Sequence, residues 1–176
     1  MQSSFTKDKS MSHTLEGFAA ACHDLLKATP GPKGREQVRD LVREVLKDRE
    51  FIEKTITADM PERKVIYQDP ELGFCILAHV YHSAKTSPPH DHGPSWAIYG
   101  QAAGETHMSD YELVEPPAPG KPGRARELRS YSLTPGSAHL YNEGDLHSPR
   151  RDGPTRLLRL EGLNMETIKR DKFEAI

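Results

Sequence analysis

The chain has 176 residues, with 24 Lys and Arg against 26 Asp and Glu and a formal net charge of −2. That length suits one domain with a sizeable core. The near balance of charge excludes the electrostatic footprint of a nucleic-acid binder or of a protein held on an anionic membrane. No apolar run approaches the ~20 residues that span a bilayer, and Met1–Lys9 lacks the apolar core of a signal peptide. Cys22 and Cys75 show neither a pairing pattern nor metal spacing and read as reduced thiols, so a soluble cytoplasmic protein is expected.

Residues 14–55 read as helix. Ser12 or Thr14 can cap a segment in which Leu15, Phe18, Ala19, Cys22, Leu25 and Leu26 recur at a spacing of three to four. The run Thr29-Pro30-Gly31-Pro32-Lys33-Gly34 breaks it. A second amphipathic stretch follows, with Val38, Leu41, Val42, Val45 and Leu46 on one stripe and a solvated charged face opposite. Nothing in these helices points to chemistry. They suggest an N-terminal helical extension over 1–58, with 59–176 as a β body in one structural domain.

From about residue 63 the texture changes to short apolar runs punctuated by Gly, Pro, Asn and Asp. The expected strands are Lys64–Gln68, Gly73–Tyr81, Ser95–Gln101, Glu105–Leu113, Ala125–Leu133, Ala138–Tyr141 and Arg156–Leu163. Seven short strands with turn signals every ten or so residues predict a closed barrel or jelly roll. The Pro116–Gly123 tract reads as an exposed hairpin tip.

Within Pro88-Pro89-His90-Asp91-His92-Gly93-Pro94, the prolines and glycine mark the mouth of a strand. Alternation along that strand would point both imidazoles to one side, giving half of a transition-metal site. Seven of the nine histidines (79, 82, 90, 92, 107, 139 and 147) fall within the expected barrel. His79 and His82 would face opposite ways and are read as ordinary sheet histidines.

These residues resemble the cupin superfamily, small double-stranded β-helix barrels that usually hold one metal. In its first motif, G-x5-H-x-H-x(3–4)-E-x6-G, His90 and His92 take the histidine places and Gly104 the closing glycine. Ala84 replaces the first glycine, and Trp96 or Ala97 the glutamate. The second motif, P-x-G-x2-H-x3-N, is matched at Gly144-x2-His147, with Asn142 for the proline and Arg151 for the asparagine. Pro135-Gly136-x2-His139 competes. The resemblance implies a mainly β cupin barrel with N-terminal α-helices and metal ligands His90, His92 and His147. His139 is expected to be packed in its strand, and His107 would join only if the strand register allowed.

A three-histidine set without a carboxylate is neutral and leaves a divalent ion its full charge, which favours iron(II), with zinc or nickel as alternatives. Within the cupins, His90-Asp91-His92-x-x-Ser95 and Asp145-Leu146-His147 resemble thiol dioxygenases of the cysteine dioxygenase type. That resemblance implies an iron(II) oxidoreductase using dioxygen on a small anionic substrate, which here includes thiols, and it is compatible with a homodimer. Arg63 is then the candidate carboxylate clamp, since a guanidinium grips a carboxylate with two parallel bonds. Trp96 and Tyr99 are candidates for the pocket wall. The late Ser-x-His-x-Tyr run of that family is replaced by Leu157-Leu158-Arg159-Leu160-Glu161, and its cysteine by Ala97. Arg159 and Glu161 are thus either a polar pair inside the barrel or an exposed ion pair. A metal-binding cupin that senses or stores a ligand is the alternative.

Overall fold

The computed structural model describes residues 13–176. Three helices come first: α1 (Leu15–Ala28), α2 (Pro32–Val45) and α3 (Arg49–Thr55). Thr14 caps α1, its hydroxyl accepting from the Gly17 amide at 3.1 Å. Ser12, the alternative cap, and Met1–Lys9 lie outside the described residues. Pro32 opens α2 in the first-turn position a proline tolerates. The expected helical run is also cut at Lys47, where Asp48 caps α3 by accepting from the Phe51 amide at 3.0 Å.

Ten strands follow: β1 (Lys64–Gln68), β2 (Cys75–Tyr81), β3 (Lys85–Thr86), β4 (Ala97–Ala103), β5 (Thr106–Glu115), β6 (Gly123–Leu133), β7 (Ala138–Tyr141), β8 (Leu146–Arg151), β9 (Thr155–Glu161) and β10 (Phe173–Ala175). One sheet has the order β1-β2-β9-β4-β7, the other β10-β6-β5-β8-β3. Neighbours are antiparallel except for β10 on β6. From β2 to β9 the chain keeps crossing between the two sheets, so they wind together as a double-stranded β-helix. The fold is thus mainly β, a cupin-type barrel with helices ahead of it. The Pro116–Gly123 tract links β5 to β6, as expected of a hairpin tip. Sequence patterning does not reveal three of the strands: β3, β8 and β10.

The first sheet is buried on both faces. Ile76, Ala78, Val80, Ile98, Leu158 and Leu160 pack with Phe18, Val38, Val42 and Phe51 of the helices. The alternate residues Tyr81, Ala97, Tyr99 and Leu157 face the barrel with Met108, Leu133 and Tyr141. Helix and barrel therefore share one apolar layer. Helix α2 sits so close that a Cβ on Gly100 would lie 2.7 Å from Val42 Cγ1 and 2.9 Å from the Leu158 carbonyl. Two-sided burial explains why β2 reads Cys-Ile-Leu-Ala-His-Val-Tyr with little polar alternation.

Candidate metal centre

His90 and His147 meet through their backbones, each amide donating to the other's carbonyl at 2.9 Å. Beyond that one bridge the His90–His92 segment is not a strand, so pleat alternation does not align its imidazoles. A turn does: Gly93 takes φ +57°, and its amide donates to the Asp91 carboxylate at 3.0 Å. Asp91 is thereby a turn-former. His147 is delivered by β8, whose pairing sets His147 against Asp110 of β5.

The three rings converge, with centroids 4.6 Å apart for His90 and His147, 5.2 Å for His92 and His147, and 5.7 Å for His90 and His92. Among the described residues this is the one group of histidine, cysteine and acidic side chains placed to hold a metal ion. His90 Nδ1 lies 2.9 Å from the Pro88 carbonyl, and His147 Nδ1 lies 2.9 Å from that of Asp145. A carbonyl only accepts, so each Nδ1 carries the proton and each Nε2 presents a lone pair. Those nitrogens and His92 Nε2 all face the Tyr99 hydroxyl, at 3.5, 3.2 and 3.2 Å. One hydroxyl proton cannot serve both His90 and His147, and His92 Nδ1 is buried without a partner, whereas one cation can take a lone pair from all three rings. The donor set therefore fits a divalent metal ion.

Burial keeps the ring set neutral. Desolvation pulls His90 down to about 4 and holds His92 and His147 well below the ordinary value. Neutral imidazole is the form that binds a metal.

His90 and His92 line a cleft of about 480 Å³, with His147 fully buried against them. Its walls follow strand parity: His79 and Tyr81 from β2, Tyr99 from β4, Pro149 and Arg151 from β8, Arg159 and Glu161 from β9. The sequence predicts an ordinary sheet residue at His79. It faces the cleft instead, with Nδ1 3.2 Å from the Tyr81 hydroxyl and Nε2 3.4 Å from Arg159. His82 points out and meets the Met60 carbonyl.

Arg159 and Glu161 are the interior polar pair, 3.3 Å apart, and both are buried. Arg159 lies 4.0 Å over the Tyr99 ring. Arg151, 2% exposed, lies 3.9 Å over Tyr81. Arg151 Nε, Arg151 Nη2 and Arg159 Nε are buried with no partner. Arg63 reaches the rim, where its guanidinium bonds Glu161 at 3.0 Å and Asn164 at 3.1 Å. Trp96 is not brought to the cleft. It stands an odd number of residues from Tyr99, so it faces the helices, 5.6 Å beneath Arg35.

The competing histidines lie elsewhere. His139 stacks between Tyr131 and Tyr141. His107 contacts Ser132 and Asp152 on the outer side of the second sheet. Sequence reasoning missed Arg151 as a site residue. Its position four residues after His147, hence on the same face of a strand, was the available signal, but it required recognising β8.

No protein-family model matches the chain, and no curated protein matches its sequence. Among solved structures the chain is similar to a cupin superfamily protein from Desulfitobacterium hafniense DCB-2, with 10% identity over 58% of this chain and 76% of that one and a TM-score of 0.41. It is similar to KdgF from a Halomonas species, with 17% identity over 56% of this chain and 74% of that one and a TM-score of 0.41. It is also similar to the DMSP lyase DddQ from Ruegeria pomeroyi DSS-3, at 20% identity and a TM-score of 0.39, over 56% of this chain but only 42% of the lyase.

Proposed function

We propose that the protein is a metal-dependent oxidoreductase of the thiol dioxygenase kind, holding iron(II) at His90, His92 and His147 and acting on a small anionic substrate. The observation that carries this reading is a cluster of three converging histidines beside a cleft that holds two buried arginines with unmet donors. A divalent ion held there would supply a Lewis-acidic centre that, as iron, is also redox-active toward dioxygen.

The chain's own groups account for the anion. Glu161 already occupies Arg63 and one arm of Arg159, so Arg63 closes the rim as much as it binds. The free donors belong to Arg151 and Arg159, which we assign to the substrate's carboxylate. Their stacking on Tyr81 and Tyr99 fixes both guanidiniums before binding. Among the described residues no helix is long and apolar enough to cross a membrane. Free, buried Cys22 and Cys75 fit our placement in the cytoplasm.

Tag-free protein is expected to hold about one metal equivalent per chain, lost in His90→Ala and in His147→Ala. Retention by both variants would sink the ligand assignment. An oxygen electrode with cysteine, 3-mercaptopropionate and cysteamine tests the chemistry, and uptake with at least one is expected. The lack of a Ser-x-His-x-Tyr run over Leu157–Glu161 favours the second reading, a cupin that binds its ligand without turnover. A metal-loaded protein that consumes no oxygen with any of the three thiols would select it.

A further inference from the structure

Tyr99 is an unusual neighbour for three histidines. Its hydroxyl is 3.2, 3.2 and 3.5 Å from their Nε2 atoms, and the residue is 1% exposed. Ligand atoms about 2.0–2.1 Å from a four-coordinate ion stand about 3.3–3.4 Å from one another. The Tyr99 oxygen already keeps that separation from all three nitrogens. Among the described residues no carboxylate joins the group: Glu161 is taken by Arg63 and Arg159, and Asp91 by the Gly93 amide.

The strand explains how this comes about. Position 97, one of the two places for the cupin glutamate, holds alanine on the barrel face of β4, and Tyr99 is the next residue on that face. A small residue followed by a long one lets the phenol oxygen reach the space a shorter carboxylate would fill. The ring cannot swing away easily, with Arg159 4.0 Å over its face and Tyr141 against it at 5.1 Å.

We infer that Tyr99 is the fourth protein ligand, a phenolate that completes a His90–His92–His147–Tyr99 set around the metal. The inference rests on the three histidines being metal ligands but not on dioxygenase chemistry. As the metal–oxygen bond forms, the phenolic proton leaves to solvent, and the metal's oxidation state is unchanged. The set becomes monoanionic, which replaces the charge of the missing glutamate with a stronger electron donor. Burial raises the Tyr99 hydroxyl above its ordinary value and the Arg159 cation over the ring only opposes that rise, so the metal's own charge must draw the proton off.

The test uses the full-length protein loaded with iron(III) and, separately, with copper(II). A phenolate ligand produces a visible ligand-to-metal charge-transfer band and resonance-enhanced tyrosinate ring vibrations. Both are expected in the wild-type protein and absent in Tyr99→Phe, which keeps the ring and its packing. Zinc should bind Tyr99→Phe about 10- to 100-fold more weakly, the scale on which supporting groups of metal sites act. Tyr141→Phe is the control, because its hydroxyl bonds Tyr131 at 2.6 Å, and it should keep the band. Metal bound at the histidines with no such band in the wild type overturns the inference and leaves the proposed function standing. Survival of the band in Tyr99→Phe overturns it equally. A wild-type protein that binds no metal overturns both.

Discussion

At the scale of single residues, the buried charged groups of the cleft stand out, because their donors are not all satisfied. Arg151 is a buried cation stacked on the Tyr81 face, with Nε and Nη2 left without hydrogen-bond partners. Exchanging buried ionic groups for apolar ones of similar volume is often neutral or stabilising, by up to about 1–4 kcal/mol. Arg151→Met is therefore expected to melt at an equal or higher temperature while losing affinity for small carboxylates. A clear fall in stability would show that the guanidinium has a structural partner. The histidines add a pH dependence. Desolvation keeps folded His90 neutral down to about 4 and holds His79, His92 and His147 well below the ordinary 6.5. The unfolded chain takes up those protons near 6.5, so acid favours unfolding between these limits. The melting temperature of metal-free protein should hold above about pH 7 and decline through pH 6 and 5, and a flat profile would contradict neutral imidazoles. The three converging histidines were legible because their spacing is local or sits beside a turn. His79 was not, because β2 is apolar on both faces and its parity cannot be read from hydrophobicity.

At the scale of elements, the expected bounds of β1 and β7 agree with those observed, while β8 went unrecognised. Its sequence Leu-His-Ser-Pro-Arg-Arg has one aliphatic residue and an internal proline, which argue against a strand. It holds because β5 pairs along its length and β3 covers its far end. Strand β3 is two residues long and β10 three, too short for any periodic signal. The contact between α2 and β4 is the element-level feature most open to test. Gly100→Ala places a methyl against Val42 and the Leu158 carbonyl, and overpacking of this kind costs about 1–3 kcal/mol. Denaturant unfolding should show that loss. Because Tyr99 is the adjacent residue on the opposite face, the same variant should also blunt the charge-transfer band if the strand shifts. The helices reach the metal side by another route: Arg35 of α2 makes two bonds to Glu143, at 2.6 and 2.7 Å, and one to Asn142 at 3.0 Å, in the turn ahead of His147.

At the scale of the molecule, fold class and the order of helices before strands were legible from texture alone, since turn residues recur at barrel spacing. The cationic character of the cleft was hidden, because the chain is close to neutral overall. Charge sorting between interior and surface leaves no trace in composition. A ligand that binds only the folded state stabilises it by about 2.7 kcal/mol at a concentration 100 times its dissociation constant. Chelation should accordingly lower the melting temperature of the loaded protein. His147→Ala, which also loses the packing of a buried ring, should melt no higher than the chelated protein and be insensitive to added metal.

The reciprocal backbone pair between His90 and His147 joins the two ends of a long excursion that contains β4, β5, β6 and β7. An ion seated across that junction would be a removable staple on four of the ten strands. Assembly then has a compulsory order, because a chain emerging during synthesis offers only the His90–His92 half until β8 is made. Loading would then mark completion of the fold, and release of the ion would loosen the excursion at its closure point.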